Sequence, residues 1–349
     1  MDGLQLQRDR EAALRFARGV TDLVASRADA SELCVLGSTV MDVRYESGSE
    51  MCRFAAGSFI PAAGEPGAHL QLAQLPFGEL ALPLEWCRPW IPTNSIVPAR
   101  VTHPYRIFLD SYLGFIHVYD SRTRTTSVLM RSDRELDGRT LVAPFRTSLN
   151  WLAQGTGAAI VHAAAVTVFG AGVLIAGPSG SGKSTASMAL AHAGHGILGD
   201  DSVVVMATGA YALYRRAKLA SSSPVSDAWP AGASETVPLA HASKTVVRLD
   251  KAGVDLRHHT PIDLVLFPRV ARRLAVQAMP ANEAIRLIAV DAAREVRESS
   301  SRDIRTIASS LATARCARVN VPAGVSASAH HVQEAIERSM GNGPVAESA

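Results

Sequence analysis

The sequence lacks long apolar runs, paired cysteines and a secretion signal. No run of about 18 apolar residues occurs among the 349 residues, so no membrane span is predicted. Residues 1–20 carry many charges and no apolar core, which argues against a signal peptide. None of the cysteines forms a CxxC pair or has a histidine at metal-ligand spacing, so we expect reduced thiols in a cytoplasmic protein. The four cysteines are Cys34, Cys52, Cys87 and Cys316.

The sequence also lacks a strong excess of charge of either sign. The 35 Lys and Arg residues nearly balance the 32 Asp and Glu residues, and the net charge is +3. Because no block of basic residues occurs, nucleic acid is not an expected partner. The composition is 47% hydrophobic and 19% charged, which predicts a chain that buries a core large enough for two domains.

The residue pattern changes along the chain and predicts an α/β protein. Residues 1–27 have apolar positions at helical spacing and predict an N-terminal helix. Residues 28–140 contain short β-rich runs between Gly and Pro, which predict a β-rich N-terminal domain. Residues 141–340 have the strand, loop, helix, strand order of a nucleotide-binding unit. Residues 341–349 are predicted to be a disordered tail.

Within the second region, apolar strands are predicted at 163–169 and 173–176, followed by a Gly-rich loop and a helix from Lys183. A short strand is predicted at 197–198. Residues 207–243, rich in Ser, Ala and Pro, are predicted to be a long loop with short elements.

The Gly-rich loop fits the phosphate-binding pattern GxxxxGK[ST], a P-loop. Glycines let the backbone approach phosphate oxygens, and the start of the following helix presents free N–H groups to the anion. In this pattern the lysine reaches the β- and γ-phosphates of ATP, and the next hydroxyl, that of Ser184, binds Mg²⁺. The loop residues are Gly177, Pro178, Ser179, Gly180, Ser181, Gly182, Lys183, Ser184 and Thr185.

Two adjacent aspartates, Asp200 and Asp201, end the short strand after the loop helix. Neighbouring parallel strands end at the same edge of a sheet, so this pair is expected to face the γ-phosphate. One carboxylate would hold metal and the other would accept the proton of an acceptor hydroxyl. His162, just before the first strand, is a candidate for orienting an aspartate or contacting phosphate. A solvated Asp-Asp turn and a structural histidine are the alternatives.

Further basic residues are candidates for contacts with substrate or phosphate, or else are solvated surface charges. They are Arg215, Arg216, Lys218 and Arg269.

The run from His162 to Thr185, HAAAVTVFGAGVLIAGPSGSGKST, and the run from Gly194 to Asp201, GHGILGDD, resemble the catalytic domain of HPr kinase/phosphorylase. The resemblance implies a P-loop kinase domain whose core is similar to that of phosphoenolpyruvate carboxykinase. It implies that His162 and Asp200 are catalytic, with Asp200 as proton acceptor, and that Asp201 and Ser184 serve the metal. It also implies a homo-oligomer.

The strong likeness covers roughly residues 155–206. The family's later signature Glu-Ile-Arg-Gly-Leu-Gly-Ile, whose glutamate helps to hold metal, is absent, and RRAKLASSSP stands at 215–224. No third acidic ligand is assigned for that reason. The sequence is more similar to divergent HPr-kinase-like proteins, some of which accompany lasso-peptide gene clusters and phosphorylate a serine of the precursor peptide.

Three functions follow from these patterns. The first is an ATP- and Mg²⁺-dependent kinase acting on a Ser or Thr hydroxyl of a peptide or small protein. The second is a small-molecule kinase, because the loop and the following Gly-Asp-Asp also resemble adenylylsulfate kinase and gluconate kinase. The third is a nucleotide-binding regulatory protein without turnover.

Overall fold

The computed structural model describes residues 3–75, 97–110, 114–132, 143–220, 223, 225–226, 228–239, 242–295, 300–322 and 329–341. The expected domain boundary at 140/141 lies outside these residues, as does the expected tail at 341–349 apart from residue 341. None of the described helices is both long and apolar enough to cross a membrane.

The described residues form seven α-helices, and a 3-10 turn lies at Leu249–Lys251. The helices are α1 (Gly3–Arg27), α2 (Glu50–Ala56), α3 (Arg146–Gln154), α4 (Lys183–His192), α5 (Ala281–Glu295), α6 (Ser301–Ser310) and α7 (Ala329–Met340).

Twenty β-strands complete the described structure. They are β1 (Ala30–Leu36), β2 (Thr39–Tyr45), β3 (Pro66–Leu75), β4 (Val97–Thr102), β5 (Tyr105–Asp110), β6 (Phe115–Asp120), β7 (Thr125–Arg131), β8 (Ala159–Val161), β9 (Ala163–Val168), β10 (Ala171–Ala176), β11 (Gly196–Gly199), β12 (Val203–Met206), β13 (Gly209–Tyr211), β14 (Arg216–Ala220), β15 (Ser234–Leu239), β16 (Ala242–Arg248), β17 (His259–Thr260), β18 (Leu264–Ala271), β19 (Ala275–Ala278) and β20 (Arg315–Pro322).

The chain divides into two compact units. The first contains residues 1–35 and 39–155, and the second contains residues 36–38 and 156–349. The first unit is built on a seven-stranded mixed sheet in the order β1-β2-β3-β7-β6-β5-β4. Helix α1 buries Phe16, Ala17 and Val20 against this sheet, as its helical apolar spacing predicts.

Helix α3 belongs to the first unit, although the sequence places it after the expected boundary at 140/141. Its aromatic and polar side chains explain this. Trp151 is buried and packs on Tyr119 of β6 at a ring distance of 6.2 Å. Ser148 hydrogen bonds to the buried His117 of the same strand at 2.6 Å. The helix therefore completes the core of the β-rich unit.

The described residues of the second unit form three sheets. The largest has six strands in the order β11-β9-β10-β18-β20-β19, and sheets of four and three strands accompany it. Helix α4 packs on the large sheet, where Met188 and Leu190 are fully buried. A mixed α/β architecture is thus confirmed.

The sequence predicts a long loop with short elements at 207–243. The described residues there contain the short strands β13, β14 and β15. Both β14 and β15 pair with β16, so the backbone of these two strands forms hydrogen bonds within a small antiparallel sheet. Local composition is a weak guide where the partner strand follows later in the chain.

Gly172 fixes the position of β10, the strand that leads into the Gly-rich loop. A methyl group on Gly172 would lie 1.7 Å from the carbonyl oxygen of Pro261. We expect Gly172→Ala to lower the free energy of unfolding by about 3 kcal/mol, since the obstructing atom is backbone. Urea unfolding followed by circular dichroism measures the loss.

Gly253→Ala is the control for this substitution. Gly253 has a left-handed φ of 71° but nothing within 4 Å of an added methyl, so we expect a loss of only about 1 kcal/mol. Equal losses in the two variants would show that the close approach to Pro261 is not what matters.

Candidate active site

The edge of the six-stranded sheet brings the Gly-rich loop, the aspartate pair and His162 together. Strands β10 and β11 both run antiparallel to β9, which lies between them. They therefore point in the same direction and end at the same edge, where β9 begins. The loop after Ala176, the pair after Gly199 and His162 before β9 all lie at this edge. The expectation that the loop strand and the aspartate strand are parallel neighbours is wrong, because β9 separates them, but the shared edge results all the same.

The loop after β10 has the backbone conformation that its glycines allow. Gly177 has φ 135° and Gly182, which precedes α4, has φ 100°, both in the left-handed region. No side chain of the described residues caps α4. The first N–H groups of the helix are therefore left for another acceptor, as in an anion-binding helix start.

Lys183 lies across the loop that precedes it. Its ammonium group donates to the carbonyl oxygens of Gly177 at 2.6 Å and Pro178 at 3.2 Å, and the residue is buried. The hydroxyl of Ser181 is also buried and has no hydrogen-bond partner among the described residues. A buried ammonium and an unsatisfied hydroxyl in one loop fit a site for an anion.

Asp200 is almost completely buried and is held from two sides. Its Oδ1 accepts from the Ser187 hydroxyl at 3.0 Å, and its Oδ2 accepts from the Lys218 backbone N–H at 3.1 Å. Burial, and after it the charge of Asp201, raises the pKa of Asp200, although the hydrogen bonds from Lys218, Ser184 and Ser187 act in the opposite direction. A carboxylate with a raised pKa is a stronger base.

Asp201 has different neighbours from Asp200. Its Oδ1 lies 3.5 Å from Nε2 of His162 and 3.5 Å from Nζ of Lys218. Two cationic groups therefore converge on one oxygen of this carboxylate. The resemblance implies that His162 and Asp200 are the catalytic residues. In the structure, the aspartate of the pair that His162 contacts is Asp201.

His162 lies between two carboxylates. Its Nδ1 forms an ion pair with Oδ2 of Asp291 on α5 at 3.0 Å. Burial by itself lowers the pKa of His162, but the contacts with Asp201 and Asp291 raise it to about 9. The imidazole is therefore protonated at neutral pH.

Two residues of this cluster are absent from the sequence-based candidates. Ser187 lies one helical turn after Ser184, so spacing along α4 could have found it. Asp291 belongs to no motif and lies far along the chain from His162. Only the packing of α5 brings Asp291 to the sheet edge.

The four basic candidates separate into different positions. Lys218 joins the aspartates through both its backbone and its side chain. Arg215 forms an ion pair with Asp250 at 3.5 Å, and Arg216 is buried in β14. Arg269 is exposed near the end of β18, beside the loop and away from the aspartate side.

The oxygen donors at this edge suit a divalent cation that arrives with phosphates. Ser184 and Asp201 supply a hydroxyl and a carboxylate, the ligand types that Mg²⁺ prefers. Among the described residues, no group of three or more His, Cys, Asp or Glu could hold a metal ion.

Comparisons with known proteins agree with the sequence resemblance over a limited segment. Residues 154–223 match the family model of the HPr Serine kinase C-terminal domain. An HPr kinase/phosphorylase of Mycoplasmopsis pulmonis (strain UAB CTIP) is 51% identical over 45 residues, which are 13% of this chain and 15% of that protein. An HPr kinase/phosphorylase of Chlorobium chlorochromatii (strain CaD3) is 46% identical over 48 residues, 14% of each chain.

The matched segment thus spans about a seventh of the length of these curated relatives. A solved structure, that of the Hpr(Ser) kinase/phosphatase from Coxiella burnetii, covers 53% of this chain and 99% of its own chain at 13% identity. Its TM-score is 0.28, which is too low to define a shared fold. On the sequence matches, the segment 154–223, which carries the loop, His162 and both aspartates, is HPr-kinase-like.

Proposed function

We propose that this protein is an ATP-dependent kinase that transfers the γ-phosphoryl group to a Ser or Thr hydroxyl of a peptide or small protein. The observation that carries the proposal is the shared sheet edge. A lysine-bearing Gly-rich loop and two buried carboxylates lie there together within an HPr-kinase-like segment. Phosphoryl transfer needs little more than such positioning and charge stabilisation.

The loop residues would hold the nucleotide. The backbone N–H groups at the start of α4 and the hydroxyl of Ser181 bind phosphate oxygens. Lys183 exchanges its two carbonyl contacts for the β- and γ-phosphates, which satisfy the ammonium better because they are charged. Ser184 and Asp201 would hold Mg²⁺, which neutralises phosphate charge when bound. Thr185 follows Ser184 in the first turn of α4.

The reaction joins the acceptor oxygen to the γ-phosphorus and breaks the bond from that phosphorus to the bridging oxygen. The hydroxyl proton passes to Asp200, and ADP leaves with the electron pair of the broken bond. The raised pKa of Asp200 favours this role, since a proton acceptor must be basic enough to take the proton as the new bond forms.

The basic side chains around the aspartate pair would position Asp201. His162 and Lys218 both approach the same oxygen of this carboxylate, and Asp291 holds the imidazole from its other nitrogen. We assign Asp291 the part of a positioning residue that fixes the ring of His162. The protonated ring and Lys218 can also stabilise negative charge on the transferring phosphoryl group.

The test is phosphorylation of a library of Ser- and Thr-containing peptides with ATP and Mg²⁺, read by mass spectrometry. We expect phosphopeptides with the wild-type protein and their loss, at least about a hundredfold, in Lys183→Ala, because the phosphates lose their ammonium partner. Lys251→Ala, which removes an exposed lysine, is the control. ATP binding without transfer to any peptide would instead favour the regulatory reading, and transfer only to metabolites would favour the small-molecule kinase.

Substitution of Asp200 and substitution of Asp201 are expected to impair different steps, catalysis and Mg-ATP binding respectively. Asp200→Asn should lower kcat about a thousandfold with nearly unchanged affinity for Mg-ATP, because it removes the proton acceptor. Asp201→Asn should chiefly weaken Mg-ATP binding, about tenfold or more, because it removes a metal ligand. Initial rates and calorimetric titration with Mg-ATP measure the two effects.

Asp255→Asn, at an exposed carboxylate, controls for the loss of one charge. If the kinetic and binding defects appear in the opposite variants, the roles of the two aspartates are exchanged. Near-normal turnover in both would reject a carboxylate mechanism at this edge.

Asp291→Asn is expected to lower kcat about tenfold while leaving the affinity for Mg-ATP within twofold. The amide keeps the size of the side chain but loses the charge that holds His162. Asp291→Glu should restore part of the rate, which a merely structural defect would not predict. The same rate and binding assays apply, with Glu337→Gln, at an exposed position of α7, as control. Equal rates in wild type and Asp291→Asn would remove this residue from the site.

A further inference from the structure

A large cavity adjoins the Gly-rich loop on the side away from the aspartates. Its walls are loop residues 178–181, the end of β18, strands β19 and β20, and the end of α7. Strand β18 pairs with β10 only at residues 264–266 and then continues beyond it beside β20. This extension past the sheet edge creates the cavity, and its volume is about 1730 Å³.

Within the described part of the chain, the charged side chains that line the cavity are all basic. They are Arg269, Arg273, Arg315, Arg318 and Arg338. Three of the arginines have partners, since Arg318 pairs with Glu283, Arg338 pairs with Glu334, and Arg315 donates to the carbonyl oxygen of Met340.

Arg269 and Arg273 differ from the other three arginines. Both are exposed, and neither forms an ion pair within the part of the chain that the structure describes. A concave surface lined by one sign of charge attracts ligands of the opposite sign. The two arginines are therefore available to an anionic ligand.

The size and lining of the cavity favour a peptide over a small molecule. Small-molecule sites occupy about 300–1,000 Å³, well below the volume found here. The floor is apolar, with Val276, Met279 and Cys316 among its residues. One wall is β19, an edge strand with exposed side chains at 275, 277 and 278, and such strands can pair with an extended peptide.

We propose that this cavity binds an acidic segment of the peptide that the protein phosphorylates. The inference rests on the proposed kinase function, because the loop forms a wall shared by the cavity and the nucleotide site. Carboxylates of the segment would meet Arg269 and Arg273, and the acceptor hydroxyl would lie elsewhere on the same peptide, across the loop at Asp200. Acidic residues near the acceptor are then the specificity determinant.

The experiment uses a fluorescein-labelled peptide with four repeats of Glu-Glu-Ser and a matched peptide with Gln-Gln-Ser repeats. Fluorescence anisotropy gives the affinity for the full-length protein, and calorimetry gives the affinity for Mg-ATP. We expect the acidic peptide to bind the wild type at least tenfold more tightly than the neutral one. The double variant Arg269→Gln/Arg273→Gln should lose about tenfold in affinity for the acidic peptide.

A charge-matched double variant, Arg257→Gln/Arg305→Gln, controls for the loss of two positive charges. These exposed arginines do not line the cavity, and we expect them to leave peptide affinity within twofold. Equal affinity for the two peptides, or equal loss in both double variants, would overturn the proposal. A parallel loss of Mg-ATP affinity in Arg269→Gln/Arg273→Gln would assign the arginines to the nucleotide and overturn it as well.

This experiment can reject the cavity proposal and the kinase proposal independently of each other. Binding of the acidic peptide through the two arginines without any transfer from ATP would contradict the kinase proposal and keep the cavity assignment. Transfer to Ser peptides without preference for acidic ones would do the reverse.

Discussion

Two adjacent carboxylates, Asp200 and Asp201, are buried at the edge of a sheet, and the rest of the site depends on how their charge is compensated. A buried carboxylate without partners is costly, and two in sequence repel each other. The structure gives each its own set of partners. Hydrogen bonds from Ser187 and the Lys218 backbone satisfy Asp200, while the cationic groups of His162 and Lys218 face Asp201.

Because their partners differ, the two aspartate carboxylates have different chemical properties. Asp200 has neutral donors and a raised pKa, and Asp201 has positive neighbours. A proton acceptor and a metal ligand need that kind of difference. Phosphate bound at the start of α4 would then lie between an acidic side, with the carboxylates, and a basic side, with Arg269 and Arg273.

The sequence predicted the local elements of the site well. The Gly-rich loop, the helix from Lys183 and the strand before the aspartates are properties of short segments with their own periodicity and glycine pattern. The elements around the loop were harder to predict. Strands β14 and β15 both pair with β16, which follows them in the chain. Helix α3 joins the first unit because Trp151 and Ser148 find partners on β6.

The sequence by itself determined the Gly-rich loop, the aspartate pair and the HPr-kinase-like segment, because these depend on residues that are close along the chain. The tertiary structure alone decided that β9 separates the loop strand from the aspartate strand and that His162 contacts Asp201. It also decided that Asp291 contacts His162 and that five arginines line one cavity. The physical reason is that strand order and helix packing bring together residues distant in sequence, and no local periodicity encodes those contacts.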